Sequence, residues 1–335
     1  PEAKTLRMLE KYINKKGGIK GQKIRIIIKD SRGRPVQAVS FARQLIEEEN
    51  VFAIIGPSTS GETLKIKQLC QQSSTLLLSC AAAEKIVKPV APYVFKVAQK
   101  DSHVARHILK HMQNQNIKKI AVTCGNTSFG NEGLKQLKKY SPQYGIKIII
   151  AEIYDKKSTD LSGIVTKIKS KKPEALVNWS IVPAQAILPR TMKQLKLDIP
   201  LYQSHGFANI KYAREAGKAG NGILFPSGRI FVAEQLNHSH PQYKPISRYK
   251  KMYEKTYNEP VSTFGGHAYD ALMILVEVMN RNQLEPCQLQ KGIENLKNFP
   301  GTAGVFNFSP ADHNGLDINS LAMHWLQDEK FILLK

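Results

Sequence analysis

The chain has 335 residues, of which 42% are hydrophobic, so it is long enough to bury a large core and to form about two domains. Its formal net charge is +22, but the lysines are spread over nearly every predicted helix, without interleaved aromatic residues or a nucleic-acid-reading motif. We therefore interpret the charge as a solvated basic surface and expect no nucleic-acid partner. No apolar run reaches the ~18–20 residues that span a membrane, and the first residues, PEAKTLRMLEKYINKK, do not have the pattern of a signal peptide.

The hydrophobic periodicity predicts an alternation of helices and strands along the chain. The predicted helices are residues 3–15, 36–49, 62–71, 102–113, 131–139, 161–170, 184–195, 245–257 and 267–280. The predicted strands are residues 23–29, 52–55, 75–78, 119–124, 146–153, 175–179, 200–203 and 222–225. Such a series is typical of doubly wound α/β layers with right-handed crossovers.

Two irregular stretches predict that this α/β series forms two lobes. The extra extended segment YVFKV, at 93–97, and the Pro-, Ser-, Gly- and His-rich stretch after Phe225 both read as crossings between lobes. The series also begins on a helix, although a parallel sheet of this kind needs a strand before it. We expect an N-terminal strand and its following loop to precede Pro1 in the intact protein.

The loop GPSTSGET follows a predicted strand and begins a helix, where a phosphate-binding loop would lie. Glu62 occupies the position of the phosphate-binding lysine, which argues against a nucleoside triphosphate. The hydroxyls of Ser58, Thr59 and Ser60, with free amides at a helix N-terminus, suit a carboxylate instead. The alternative is that these residues only cap the helix.

Three other features of the sequence are candidates for a binding or catalytic site. The small residues of LSCAAAEKIV would let a ligand approach the backbone, or would form a tightly packed turn. The stripe of His103, His107 and His111 lies on one helix face without a zincin glutamate, so we interpret it as structural. The four cysteines do not have metal-ligand spacing, and their pairing is left open: Cys70, Cys80, Cys124 and Cys287. No spacing identifies a nucleophile with its base. We therefore expect a protein that is not an enzyme and that has neither a metal site nor a cofactor.

Seven segments, in order, resemble one family. They are GGIKGQKIRIIIKD, FAIIGPSTSGET, LSCAAAEKIV, APYVFKV, IKKIAVTCGNTSFGNEGL, VTKIKSKKPEALVNW and GGHAYDALM. The chain resembles the type I periplasmic solute-binding proteins of the branched-chain amino acid group, which serve ABC importers. The resemblance implies two α/β lobes joined by three crossings that close on a small ligand. It implies an N-lobe of residues 1–100 plus 228–317 and a C-lobe of residues 101–227 plus 318–335, and it also implies the missing first strand.

The resemblance further implies where a ligand binds. In this family a serine matching Ser60 and groups matching Ala81 and Ala83 hold an α-carboxylate, and an aromatic residue at the position of Phe129 covers the ligand. The family's partner for the ammonium is a glutamate, and His205 stands in its place within LYQSHGFANI. A buried ammonium needs an acidic partner or several acceptors, which a histidine does not supply. The complete predicted set of ligand-binding residues is Ser58, Thr59, Ser60, Ala81, Ala82, Ala83, Phe129, Trp179, Val182, His205, Phe207, His267 and Tyr269.

Two ligand classes therefore stay open, with site chemistry favouring the first slightly: an aromatic or other organic acid without an ammonium, and an apolar or branched-chain amino acid. We expect a monomer in the periplasm, or lipid-anchored outside the cytoplasmic membrane, that delivers its carboxylate ligand to an ABC permease. The alternative function is the ligand-sensing domain of a receptor or transcription regulator, because the same fold serves both.

Overall fold

A computed structural model describes residues 1–334, and they divide into two compact units. The first unit contains Pro1–Lys100 and Ala233–Ser320. The second contains Asp101–Val232 and the chain from Leu321 to the end of the described residues. None of the helices formed by residues 1–334 combines the length and the apolar character that crossing a membrane requires.

The first unit has a small parallel sheet with the order β1–β2–β3. Its strands are β1 (Ala53–Ile55), β2 (Leu76–Ser79) and β3 (Val94–Lys96). Helices α1 (Glu2–Lys15), α2 (Pro35–Arg43) and α3 (Ser60–Gln72) come from its first segment. A short π-helical stretch, Gln44–Glu48, continues α2. The apolar strands β2 and β3 are fully buried, as expected for a sheet covered on both faces.

The second segment of the first unit adds three helices and a hairpin, which follow the helices and strands of the second unit along the chain. The helices are α9 (Tyr243–Tyr257), α10 (Thr263–Arg281) and α11 (Pro286–Glu294). The antiparallel hairpin pairs β9 (Phe299–Pro300) with β10 (Val305–Phe306). The buried carboxyl group of Asp270 on α10 holds this hairpin, because it accepts hydrogen bonds from the amides of Thr302 at 2.6 Å and Ala303 at 2.8 Å.

The second unit contains a seven-stranded mixed sheet with the order β12–β11–β8–β7–β6–β4–β5. Its strands are β4 (Lys119–Gly125), β5 (Lys147–Tyr154), β6 (Ala175–Trp179), β7 (Leu201–Gln203), β8 (Leu224–Ser227), β11 (Ala322–Gln327) and β12 (Lys330–Leu333). Its helices are α4 (Asp101–Asn114), α5 (Ser128–Tyr140), α6 (Ser162–Ser170), α7 (Ala184–Gln194) and α8 (Ile210–Ala216). Strands β4 to β8 pair in parallel, whereas β11 is antiparallel to both β8 and β12.

The predicted strand 23–29 is wrong as a strand, because the segment forms no ladder with any part of residues 1–334. Side chains of α1 bind its backbone instead: Asn14 both donates to the carbonyl and accepts from the amide of Ile24, at 2.8 Å each, and Glu10 accepts from Ile26 at 2.6 Å. An apolar cavity of about 490 Å³ is lined by this segment and by β1. The hydrophobic run is therefore extended, as its β-branched residues favour, but it lacks a neighbouring strand.

The segment YVFKV is part of a sheet and is not an irregular crossing. Leu77, Leu78 and Ser79 of β2 pair in parallel with Val94, Phe95 and Lys96 of β3. The sequence at 93–97 therefore completes the sheet of the first unit. Its lysine, Lys96, is fully buried.

Candidate functional site

The hydroxyl loop of the first unit lies between β1 and α3, and its three hydroxyls have different partners. Ser58 donates to Glu2 at 2.7 Å, and Thr59 donates to Glu62 at 2.5 Å. Thr59 also caps α3 by accepting from the amide of Glu62. Burial raises the pKa of Glu2 to about 6, against the opposing hydrogen bond from Ser58. Two of the three hydroxyls are therefore occupied by buried carboxyl groups.

Ser60 is the hydroxyl of this loop that points to the small-residue loop. Its oxygen accepts a hydrogen bond from the amide of Ala83 at 3.2 Å, and the side chain is buried. A hydroxyl that accepts one bond still has a proton to donate. The loop Ala81–Ala83 follows β2 directly, and the amide of Ala81 donates to Ser79 at 3.1 Å. The structure therefore brings Ser60 and the predicted alanines together.

His267 and Tyr269 both lie in the first turns of α10, where Ser262 caps the helix, but in different surroundings. Tyr269 packs against Tyr249, with ring centroids 5.1 Å apart, and is part of the aromatic interior. His267 is 5% exposed, and neither ring nitrogen has a hydrogen-bond partner among residues 1–334. Burial, with a smaller contribution from the charge of Lys96, lowers its pKa to about 3, so the imidazole is neutral at physiological pH.

The second unit gathers three aromatic rings at the ends of its strands. Phe129 lies in the first turn of α5, Trp179 ends β6, and His205 follows β7 in a single turn of 3₁₀ helix. The ring centroid of His205 is 5.3 Å from that of Phe129 and 6.0 Å from that of Trp179, both in edge-on contact. We call these three residues the ring cluster. Such offset and edge contacts are favourable arrangements for aromatic side chains.

Two glycines allow the ring cluster to form. A Cβ at Gly133 on α5 would lie 2.2 Å from the indole of Trp179, and one at Gly206 would lie 2.4 Å from the carbonyl oxygen of Ser180 and 3.0 Å from Phe129. Any larger residue at either position would displace a neighbour. The indole N–H of Trp179 is buried and has no acceptor within residues 1–334, which is uncommon for a buried donor.

Asp101 is a buried acid beside His205 that the sequence analysis missed. It is the first residue of α4 and is fully buried, and its Oδ1 lies 3.8 Å from Nε2 of His205. The two residues form an ion pair when the imidazole is protonated. The signal in the sequence was an acidic residue at a helix start, directly after the N-lobe segment 1–100 that the resemblance implies.

Two predicted residues of the second unit lie in its hydrophobic core. Phe207 is fully buried and packs against Phe225 and Phe331, with centroids 5.5 and 6.2 Å away. Val182 belongs to the same core cluster. The structure therefore groups Phe129, Trp179 and His205, and places Phe207 among core rings.

The histidine stripe of α4 has structural partners. His111 shares a hydrogen bond with the hydroxyl of Tyr202 at 2.9 Å, and burial lowers the pKa of both His107 and His111. Within residues 1–334, no group of three histidine, cysteine or acidic side chains has an arrangement that could hold a metal ion. The structure therefore gives no geometric basis for a metal centre in the part of the chain that it describes.

Comparisons with known proteins agree with this architecture. The Leu/Ile/Val-binding protein BraC3 of Rhizobium johnstonii is 24% identical over 268 residues, which cover 78% of this chain and 69% of the relative. A leucine-, isoleucine-, valine-, threonine- and alanine-binding protein of Pseudomonas aeruginosa is 24% identical over 232 residues, covering 69% of this chain and 62% of the relative. Both relatives are similar to this chain at low sequence identity.

Solved structures match almost the whole chain. An extracellular ligand-binding receptor from Rhodopseudomonas palustris HaA2 has a TM-score of 0.93 at 25% identity, covering 100% of this chain and 94% of the receptor. A second match is the branched-chain amino acid transporter substrate-binding protein LivJ of Streptococcus pneumoniae in complex with isoleucine. Its TM-score is 0.85 at 23% identity, and the match covers 98% of this chain and 92% of LivJ. The fold is thus that of type I periplasmic binding proteins. A family model described as periplasmic binding protein matches residues 2–322, and the chain therefore belongs to that family.

Proposed function

We propose that the chain is an extracytoplasmic binding protein of an ABC importer, and that its ligand is a small carboxylate with an apolar or aromatic body and no ammonium. The loops at Ser60 and Ala81–Ala83 of the first unit have groups that suit a carboxylate, and the ring cluster of the second unit has groups that suit an apolar body. Delivery to a permease is proposed because the relatives named above include a transporter substrate-binding protein. Binding alone is required, and no covalent step is part of the proposal.

The carboxylate half rests on Ser60 and the loop Ala81–Ala83. The Ser60 hydroxyl retains a proton to donate, and the small alanine side chains leave the backbone accessible to a ligand. Neutral His267 adds an N–H in the same unit that has no acceptor among residues 1–334. The Ser60 hydroxyl and the His267 N–H are donors that no carboxyl group of residues 1–334 occupies, and donors suit an anion better than a cation. Ser58 and Thr59, whose hydroxyls already bind Glu2 and Glu62, are proposed as support for the loop.

The ring cluster is the single observation that carries the proposal. Phe129 and His205 keep 4% and 8% of their surface exposed, whereas Trp179 is fully buried and packs against both rings. Pairs of aromatic groups gain about 0.5–1.5 kcal/mol beyond the area they bury. The unsatisfied indole N–H of Trp179 supports a ligand body that carries an acceptor. A ligand body that is flat and largely apolar fits this chemistry.

The surroundings of His205 and Asp101 favour a ligand without an ammonium group. The acid nearest the ring cluster is Asp101, and its carboxylate is already 3.8 Å from the imidazole of His205. A ligand ammonium would have to compete with the imidazole for that acid and would lie close to a ring that can itself be protonated. A desolvated charge in such a position is costly.

An apolar amino acid is the second candidate, and one observation favours it. Asp101 is fully buried, so its carboxylate could offset the charge of an ammonium if His205 stays neutral. The relatives from Rhizobium and Pseudomonas are named for leucine, isoleucine and valine, which is consistent with this ligand class.

Matched ligand pairs distinguish the two candidates. Isothermal calorimetry would compare 3-phenylpropanoate with L-phenylalanine and 4-methylpentanoate with L-leucine, since the members of each pair differ only in the ammonium. We expect the acids without an ammonium to bind at least tenfold more tightly, a difference of about 1.4 kcal/mol. Tighter binding of both amino acids would establish the second candidate. A thermal-shift screen extends the test to benzoates and short fatty acids, because bound ligand raises the melting temperature; no shift with any carboxylate would contradict the proposal.

His205→Glu tests the role assigned to the histidine. Replacing the imidazole with a second acid beside Asp101 should lower the affinity for 3-phenylpropanoate and raise that for L-phenylalanine, by about tenfold each. His238→Glu is the matched control, because His238 is exposed in the first unit and stacks on Tyr243. Equal effects of the two substitutions, or an unchanged preference in His205→Glu, would contradict the assignment.

Ser60→Ala tests the carboxylate half. Loss of the hydroxyl should weaken binding of 3-phenylpropanoate by about tenfold or more, because hydrogen bonds to a charged acceptor are the stronger ones. Ser73→Ala, at the exposed C-terminus of α3, should leave the affinity unchanged. Calorimetry on both variants gives the answer, and unchanged affinity in Ser60→Ala would remove this residue from the site.

A further inference from the structure

Lys96 is a lysine with no exposed surface, at the end of β3 in the first unit. Its ammonium donates to the carbonyl of Ala82 at 2.6 Å and to the carbonyl of Gln99 at 3.0 Å. Removing an ammonium from water is expensive, and a methionine would fill similar space without that cost. The charge therefore requires an explanation beyond packing.

The ammonium of Lys96 is fixed by the carbonyls of Ala82 and Gln99, and the backbone of the residue is held as well. Its amide donates to the carbonyl of His313 at 3.0 Å, and its carbonyl accepts from the side chain of Asn314 at 3.0 Å. The same Asn314 amide also donates to Ala98 at 2.8 Å. An immobile charge costs little reorganisation when a ligand arrives.

The ammonium binds the middle carbonyl of the loop Ala81–Ala83. That bond fixes the peptide that follows Ala82, whose amide, on Ala83, points to the Ser60 oxygen. The amide of Ala82 donates to no group within residues 1–334. Lys96 thus determines how the loop presents its donors and also places a positive charge directly behind them.

His267 gives an independent indication that this place receives a ligand. The imidazole is 5% exposed, and both nitrogens are without a hydrogen-bond partner among residues 1–334. Burial and, to a smaller extent, the positive charge of Lys96 lower the pKa of His267. A buried polar group without a partner is uncommon and is explained by a group that binds there.

We propose that Lys96 is a positioning residue for the ligand carboxylate: it fixes the loop Ala81–Ala83 and supplies the positive charge by which the first unit prefers a carboxylate over an uncharged group of the same shape. This inference rests on the function proposed above, in that the loop binds a carboxylate. It predicts that charge selectivity depends on a side chain that binds the loop from behind and is itself fully buried.

Lys96→Met is the direct test, and Lys67→Met is its matched control. Lys67 also donates to two backbone carbonyls of the first unit, those of Lys85 and Pro89, at 3.1 and 3.0 Å. The first measurement needs no ligand: the imidazole of His267 is titrated by NMR. Removal of a nearby positive charge should raise the pKa of His267 in Lys96→Met and leave it unchanged in Lys67→Met. An unchanged pKa in Lys96→Met overturns the inference.

The second measurement compares binding of 3-phenylpropanoate with its uncharged isostere 3-phenylpropanamide. Wild type and Lys67→Met should prefer the carboxylate, and Lys96→Met should lose about tenfold of that preference. A purely structural role would weaken both ligands equally, and that result overturns the inference. If neither compound binds the wild type, the proposed ligand class fails, while the titration of His267 still decides whether the charge of Lys96 acts on that imidazole.

A wild-type measurement covers the case in which Lys96→Met does not fold. In a ¹⁵N-labelled chain, addition of 3-phenylpropanoate should shift the amides of Ala82 and Ala83, and 3-phenylpropanamide should shift them much less. Equal shifts with the two compounds, or shifts absent from the loop while binding is detected by calorimetry, overturn the inference.

Discussion

The substitution Gly133→Ala in the second unit should change the free energy of unfolding through two opposite effects, helix propensity and packing. In a helix interior, alanine is favoured over glycine by about 1 kcal/mol, so propensity alone predicts a more stable protein. The new Cβ would however lie 2.2–2.3 Å from three atoms of the Trp179 indole, where ordinary contacts are 3.4–4 Å. The ring must therefore move by about 1 Å, although it is fully buried.

The packing effect should dominate. Overpacking a filled core costs about 1–3 kcal/mol, and a rigid indole held by Phe129 and His205 accommodates it poorly. After subtracting the gain in propensity, we expect Gly133→Ala to lose up to about 2 kcal/mol of unfolding free energy. Gly163→Ala is the control, because nothing lies within 4 Å of its Cβ position on α6, and it should gain up to about 1 kcal/mol.

Urea denaturation followed by far-UV circular dichroism measures the change in unfolding free energy for both variants. The tryptophan fluorescence of the native state reports independently on a displaced Trp179. If Gly133→Ala were as stable as wild type and its emission unchanged, the close contact between α5 and the indole would be wrong. The ring cluster would then lose its structural basis.

Two further predictions concern stability against pH and thiol accessibility. Burial raises the pKa of Asp270 to about 7, so the folded chain retains a proton that the unfolded chain, with a pKa near 3.8, has released. The unfolding free energy should therefore fall as pH rises from about 4 to 7, and Asp270→Asn should flatten this slope, whereas exposed Asp198→Asn should not; an unaltered slope in urea titrations would contradict it. A thiol reagent should modify exposed Cys287 in the native protein and all four cysteines only after unfolding, because Cys70, Cys80 and Cys124 are buried and burial raises their pKa. Rapid native labelling of more than one thiol, counted by mass spectrometry, would disprove this.

The sequence predicted elements well where local pattern and burial agree. The strand 175–179 matches β6 residue for residue, and the helix 184–195 differs from α7 by one residue. The segment 23–29 failed because its β-branched run has no partner strand among the described residues, and periodicity cannot reveal whether a partner is present. The segment 93–97 was misinterpreted as a crossing because it is an extra extended stretch that interrupts the alternation of helices and strands, whereas it contains β3 of the first unit.

The candidate site depends even more on contacts between distant residues, which local sequence patterns do not reveal. The family resemblance implied that Ser60 and Ala83 belong to one site, and the structure joins them by a hydrogen bond, since parallel strands bring successive loops to one edge of a sheet. The neighbours of His205 and Lys96 depend on tertiary packing instead. Asp101 is 104 positions before His205, and Lys96 binds a carbonyl 14 positions before it, so neither contact leaves a local pattern.

The order of the strands also has a consequence for the synthesis of the protein. Strand β8 is complete at Ser227, but its antiparallel neighbour β11 begins at Ala322, after the whole second segment of the first unit. While the ribosome adds the intervening residues, one edge of the β8 backbone lacks the partner that it has in the finished sheet. The seven-stranded sheet can close only when the last part of the chain has emerged. A nascent chain stalled shortly before Ala322 should therefore expose a pairing edge that chaperones can bind, and protection of this edge should be the final step of folding in the second unit.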